Sequence, residues 1–396
     1  TAPEGFRAAG VHAGVKEGSP ESKLDLALIA ADEPCNAAGV FTRNRVKAAP
    51  VLLSQQRLKN KYAKLQAIIL NSGNANACAV NDTENALAMS RAAANALGIE
   101  ERLVGVASTG VIGQELNIAA IEKAVPSLAG ALGGDESNSA AAADAIMTTD
   151  TVRKEFAAEC TTDSGVVFRI GGICKGSGMI HPNMGTLLCV LTTDAFVASG
   201  NLRISLIKTT NRTLNRVSVD GDTSTNDSVF LLSSGKAGAI SSGELNRALN
   251  AIMTEMARSI ARDGEGATKL ITCTVKNAIR EAFAEKLSKS IINSSLVKAM
   301  IFGKDANFGR VLCAMGYSGS GFNPNEVDIA LGSKAGIIDV CRRGRGIEFD
   351  EAFAKTVLGE DEIEIIVNLN SGAYDVTCWG CDLTYDYVRI NGDYRS

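Results

Sequence analysis

Apolar, β-branched runs of four to seven residues alternate along this chain with longer stretches whose apolar residues recur by threes and fours. The runs Leu65–Leu70, Leu103–Ala107, Val166–Ile170, Thr186–Leu191, Val229–Leu232, Leu270–Val275, Val327–Leu331 and Ile363–Leu369 predict strands. Glu84–Leu97, Ile118–Leu132, Leu202–Leu214, Glu244–Ala261 and Ala282–Ile301 predict helices, the last three with the one-faced spacing most clearly. Such alternation argues for an α/β or layered α+β architecture. Breaks rich in glycine, asparagine and serine fall at Asn71–Asn76, Gly133–Ser137, Gly171–Gly185 and Ser318–Asn325. A soft boundary lies near Asn277–Glu281, beyond which charged residues become commoner. A length of 396 residues exceeds one ordinary core and predicts two or three domains.

Charge removes one class of function. With 40 basic and 44 acidic residues, and a single short basic run at Arg342–Arg345, the chain lacks the broad basic field of a nucleic-acid surface. No stretch nears the ~20 uninterrupted apolar residues of a membrane span. No basic-then-apolar leader appears within the sequence given; the expectation of a cytoplasmic protein comes from its cysteines. Ten cysteines stand at irregular spacing, several inside apolar runs, where the thiol acts as a small hydrophobe. That usage fits a reducing compartment. The one close pair, Cys378 and Cys381, lacks the second pair a zinc ribbon needs and sits in a strand-like segment. A structural reading is preferred for it over a redox or metal role.

Chemistry is constrained by scarcity. Only His12 and His181 are available as imidazole bases, and a histidine-rich zinc site is excluded by count. An alternative is a threonine at a chain terminus made by cleavage, using its own α-amine, which titrates near ~7.7–8.0, as the base. The segment Lys175–Asp194 could permit this. Gly176, Gly178, Pro182 and Asn183 form a turning loop, Gly185 lacks a Cβ, and Thr186 opens an apolar strand. A hydroxyl held rigidly beside a flexible carbonyl is placed for intramolecular attack. An ordinary strand opened by a β-branched residue remains the plainer alternative on these grounds.

The same segment resembles the cleavage site of the ornithine acetyltransferase family. Further matches follow in order: Asn71-Ser-Gly-Asn-Ala-Asn-Ala77, Ala107-Ser-Thr-Gly-Val-Ile-Gly113, Ala145-Ile-Met-Thr-Thr-Asp150, Asp220-Gly-Asp-Thr-Ser-Thr-Asn-Asp227, Gly303-Lys-Asp-Ala-Asn-Phe-Gly309 and Ile390-Asn-Gly-Asp-Tyr-Arg-Ser396. They span nearly the whole chain. The resemblance implies a sandwich of stacked sheets between helices, with a smaller C-terminal α/β domain. It implies cleavage between Gly185 and Thr186 into an α chain, 1–185, and a β chain, 186–396. The β chain would complete the catalytic sandwich to about residue 280, with the small domain over about 281–396, and the pieces would assemble as α2β2. Thr186 would be the acetyl-carrying nucleophile, and Thr109 and Gly110 would form the oxyanion hole. Thr149, Lys175, Thr186, Glu265, Asn391 and Ser396 match the substrate-binding positions. An amino-acid substrate needs a cation for its carboxylate and an anion for its amine, and Lys175 and Glu265 carry those charges. The Asp220–Asp227 motif is expected to brace the site rather than react. The implied reaction moves acetyl from N-acetylornithine to glutamate by a ping-pong route, with acetyl-CoA as an optional second donor and neither cofactor nor metal. Alternatives are a terminal-nucleophile amidohydrolase or aminopeptidase of related fold, and a non-enzymatic amino-acid-binding protein. Two departures stand out: Gly185 where many members have alanine, and Ser396 where many end in threonine.

Overall fold

The computed structural model describes residues 1–181 and 187–393. Its strands are β1 (Phe6–Val11), β2 (Leu26–Phe41), β3 (Lys64–Asn71), β4 (Val104–Ser108), β5 (Lys154–Thr161), β6 (Val167–Lys175), β7 (Leu188–Phe196), β8 (Val217–Ser218), β9 (Ser228–Ala239), β10 (Leu270–Ala278), β11 (Asp328–Ser333), β12 (Gly336–Arg342), β13 (Arg345–Gly346), β14 (Glu362–Asn368) and β15 (Tyr374–Cys381). The first sheet runs β4-β3-β2-β9-β7-β6-β5, with β1 added to β2, and the second runs β13-β12-β11-β14-β10-β15-β8. The layered α/β class read from the sequence is therefore the observed one.

Around the sheets lie α1 (Ala49–Arg57), α2 (Asp82–Leu97), α3 (Ile118–Gly130), α4 (Glu136–Ala145), α5 (Ser199–Arg212), α6 (Ser242–Arg262), α7 (Glu281–Asn293), α8 (Ser295–Phe302), α9 (Phe308–Gly316), α10 (Glu351–Val357) and α11 (Tyr385–Asp393). Strand alternation divides the cores. In β9, Val229 and Leu231 join the core beneath α5 and α6, whereas Phe230 and Leu232 join the core on the other face. In β3, Ala67 and Ile69 meet Met89 of α2 and Ile121 of α3.

Helix α6 occupies the middle of the molecule. Its start is written in the sequence as Ser241-x-x-Glu244: the Ser241 hydroxyl accepts the Glu244 amide at 3.2 Å, and the Glu244 carboxylate accepts the Ser241 amide at 2.8 Å. Leu245, Leu249, Ile252, Met253, Met256 and Ile260 are buried along it. It packs on β5 and β6 of the first sheet and on β10 and β15 of the second. A helix so enclosed delivers its C-terminal residues to a fixed place.

Two sequence boundaries need correction. Gly171–Lys175 belongs to β6 rather than to the predicted break at Gly171–Gly185. The glycine is there for close approach: a Cβ on Gly172 would stand 2.6 Å from Leu191 and 2.9 Å from Met256. The single helix expected over Ala282–Ile301 is two, because Ser294 turns extended and its hydroxyl caps α8.

Candidate active site

The turn after β4 is held by a second glycine-containing loop. The Thr109 amide donates to the Asn71 carbonyl at 2.9 Å, and the Ala75 amide to the Val111 carbonyl at 2.8 Å. Asn226 Nδ2 donates to the carbonyls of Ala75 (2.6 Å) and Ser108 (2.9 Å), tying both loops to the Asp220–Asp227 motif. Gly110 has φ +130°, and a Cβ there would lie 2.3 Å from the Gly73 carbonyl carbon. Only glycine fits.

Beneath the turn lies a buried charge cluster. Asp150 accepts from Lys154 Nζ at 2.8 Å, from the Gly176 amide at 2.7 Å and from the Thr148 amide at 3.1 Å. Lys154 Nζ also reaches Asp263, the residue that ends α6. Burial pushes the Asp150 carboxyl up, but Lys175, Lys154 and the amide donors outweigh it and hold the group well below the carboxylate range. Burial depresses the Lys154 ammonium, and Asp150 and Asp263 more than restore it. Lys175, the last residue of β6, is buried as well. Its Nζ stands 3.8 Å from Asp150 and makes no hydrogen bond with any described residue. A buried ammonium with unspent donors is suited to an anion.

On the facing side the chain leaves α6 through Gly264-Glu265-Gly266. The Glu265 amide donates to the Ser177 carbonyl at 3.0 Å. Its carboxylate accepts from Asn391 Nδ2 of α11 at 2.8 Å. Gly178 packs against that carboxylate so closely that a Cβ would lie 2.3 Å from it. Asp220 fixes the same stretch by accepting the amides of Met179 (2.6 Å) and Ile180 (2.9 Å), and Tyr387 of α11 donates to it at 3.4 Å. This supports the bracing role read for the Asp220–Asp227 motif.

Thr109, Gly110, Thr149, Lys175, Glu265 and Asn391 line one cavity of about 140 Å³, together with Thr148, Gly178, Ser224 and Asn226. Six residues singled out from the sequence, from Thr109 to Asn391, thus converge. Gly185, Thr186 and Ser396 lie outside the described residues. The flanking strand is placed: Leu188 pairs with Lys175 of β6 and with Ser228 of β9. A larger cavity, about 440 Å³ around Phe6, Glu155 and Gly172, contains none of the six.

The sequence model of the ArgJ family matches residues 7–396. The chain belongs to the ArgJ family. A Symbiobacterium thermophilum protein named arginine biosynthesis bifunctional protein ArgJ is 48% identical over 404 residues, covering 100% of this chain and 98% of that one. Glutamate N-acetyltransferase of Methanocaldococcus jannaschii is 43% identical over 407 residues, with 100% and 98% covered. The crystal structure of ornithine acetyltransferase from Mycobacterium tuberculosis in complex with ornithine is 40% identical, covers 47% of this chain and 94% of that chain, and has a TM-score of 0.41.

Several features of this ArgJ-family chain escaped the sequence reading. Lys154 and Asp263, 109 residues apart, meet in a charge cluster that no local pattern announces. Asp227 is buried, and among the described residues neither of its carboxyl oxygens completes a well-formed hydrogen bond. Burial pushes its pKa well above the ordinary 3.8, although the Leu187 amide, the Thr42 hydroxyl and Lys175 draw it back. Cys378 and Cys381 cannot share a metal or a disulfide. An odd spacing in β15 puts them on opposite faces, Cys378 in the core of the second sheet and Cys381 in that beneath α6. Burial pushes the Cys378 thiol up to about 11, far from a reactive thiolate. The histidines are engaged elsewhere: His12 Nδ1 lies 2.7 Å from the Lys23 carbonyl and His181 Nδ1 lies 3.0 Å from the Ser218 hydroxyl. Burial, then Lys289, lowers the His181 pKa. Among the described residues no helix is long and apolar enough to cross a membrane.

Proposed function

We infer that this chain is a self-cleaving acetyltransferase that moves acetyl from N-acetylornithine to glutamate through an acetyl-Thr186 intermediate. The observation that carries the reading is the convergence of Thr109, Gly110, Thr149, Lys175, Glu265 and Asn391 on one cavity, in a chain whose relatives are named for this chemistry. Scission between Gly185 and Thr186 frees an α-amine that takes the proton of the threonine hydroxyl as it attacks the acetyl carbonyl. The turn at Thr109 and Gly110 holds the oxyanion; each such donor contributes roughly a hundred- to a thousand-fold in rate. Lys175 receives the substrate carboxylate, and Glu265, steadied by Asn391, receives the side-chain amine of the ornithine moiety. Ornithine leaves, glutamate binds, and its amine takes the acetyl group. Thr149 and Ser396 complete the substrate contacts. The pieces 1–185 and 186–396 stay together, with a C-terminal unit over about 281–396, and pair as α2β2 in the cytoplasm.

The test is the denatured mass of freshly purified protein beside its Thr186→Ala variant, followed by transfer assays with and without glutamate. Two pieces separating at Gly185–Thr186, an intact variant and glutamate-dependent release of ornithine are expected. Ornithine release indifferent to glutamate would make the protein a hydrolase. Full transfer by uncleaved Thr186→Ala would remove the mechanism.

A further inference from the structure

Lys175 and Lys154 both face Asp150, yet they are treated differently. Lys154 spends its donors on Asp150 at 2.8 Å, on Asp263 and on the Val152 carbonyl at 3.3 Å. Lys175 stands 3.8 Å from the same carboxylate, 1.0 Å further than Lys154, with its side chain only 6% exposed. A buried ammonium free to move would close that gap, since an ion pair at hydrogen-bond distance is stronger than one held apart. Two things prevent it. Asp150 Oδ1 already accepts Lys154 and the Gly176 amide, and Oδ2, the oxygen nearest Lys175, is held toward the Thr148 amide. Lys154 in turn is anchored from behind by Asp263, whose carboxylate is fixed by the Thr151 amide and hydroxyl. The side chains of Asp150, Lys154 and Asp263 are 4% exposed or less, so no solvent screens the arrangement.

We propose that Lys154 and Asp263 form a positioning pair that holds the charge of Asp150 away from Lys175 and so keeps the Lys175 ammonium open to a substrate carboxylate. The proposal rests on the reading of Lys175 given under the proposed function. The pair touches no part of the cavity itself, so its effect reaches substrate only through Asp150. Without it, Lys175 collapses onto Asp150 and the carboxylate must compete with an internal anion for the same donors. The loss therefore falls on substrate binding and leaves the acetyl-transfer step alone.

The experiment uses the full chain in its cleaved form, with Lys154→Met and the double variant Lys154→Met/Asp263→Leu. The double variant removes one charge of each sign and keeps similar volumes, a replacement that buried ion pairs commonly tolerate. Melting curves confirm folding, and initial rates are measured with N-acetylornithine and glutamate each varied. The expected result is a rise in KM for both substrates of about tenfold, the scale of one charge-assisted contact, with kcat within about threefold of wild type. A folded double variant with KM values within about twofold of wild type overturns the proposal, as does a fall in kcat with KM unchanged. Lys175→Met serves as reference. If its KM values do not rise, the reading of Lys175 as the carboxylate site fails first, and the pair loses its object.

Discussion

Gly110→Ala tests the oxyanion turn without deleting any hydrogen-bond donor. The new Cβ would lie 2.3 Å from the Gly73 carbonyl carbon and 2.6 Å from the Asn74 amide nitrogen, both backbone atoms of the facing loop. Ordinary contact begins at 3.4 Å, so the loops must separate by about 1.1 Å, 3.4 less 2.3. The left-handed φ of +130° adds strain of order 1–3 kcal/mol for a residue with a side chain. Stabilisation of an oxyanion depends on donors placed to within a fraction of an ångström, and a displacement of ~1 Å costs on the order of a hundredfold in rate. The variant should therefore fold, with a lowered melting temperature, and lose about a hundredfold or more in kcat for acetyl transfer. Gly113→Ala is the matched control: it also has positive φ, at +84°, but a Cβ there meets nothing within 4 Å. It should show a similar conformational cost and nearly unchanged kcat. Steady-state transfer rates, followed by ornithine release from N-acetylornithine at saturating glutamate, decide the matter. Wild-type kcat in Gly110→Ala, or equal losses in the two variants, would refute the assignment of this turn.

Asp227→Asn should change how stability depends on pH. A carboxyl whose folded pKa is raised above 3.8 keeps its proton on folding, so wild-type stability falls as pH rises between the two values, by about 1.4 kcal/mol per unit. The amide has no proton to lose, so melting temperatures of wild type and variant should diverge from about pH 4 upward in favour of the variant; parallel curves would show that Asp227 is ionised in the fold. Glu265→Gln should reduce kcat/KM for N-acetylornithine by roughly ten- to a hundredfold, the value of one charge-assisted contact, while the KM for glutamate changes much less because glutamate has no side-chain amine. Equal losses for donor and acceptor would count against the amine-binding role.

How far the sequence carried can be judged from individual elements. Leu65–Leu70, interrupted only by Gln66, and Leu270–Val275, in which half-buried Thr272 and Thr274 alternate with buried apolar residues, were legible because β-propensity agrees with packing. The sixteen-residue β2 was not, since its apolar ends are interrupted by the exposed Asp32-Glu33-Pro34 where its pairing with β3 shifts register. α4 gave little periodic signal because its buried side is alanine, and its start depends on a capping box between Asp135 and Asn138 rather than on apolar spacing. The seam at Ser294 was hidden by apolar periodicity that continues across it. The cavity-lining residues were legible through resemblance, whereas Lys154 and Asp263 were not, and Asp227 was seen as part of its motif but not as a buried carboxyl. Burial of a charge is a property of partners brought together by the fold, and a lysine in Arg153-Lys154-Glu155 reads locally as surface.

The strand order also governs how the protein can be made. β7 and β9, both C-terminal to the proposed scission, lie between β2 and β6, both N-terminal to it. The wedge is joined to β2 from Asn36 to Phe41 and to β6 from Ile170 to Lys175. Neither piece has a complete sheet without the other, and separating them would tear two ladders at once and expose both faces of the central strands. The proposed scission would thus be an event of the finished fold and not a division into subunits that meet by diffusion. A gene split at this point would ask two incomplete sheets to find each other, each with bare edges open to aggregation. A single reading frame, cut only after folding as proposed, would avoid that encounter and keep the two pieces in equal number.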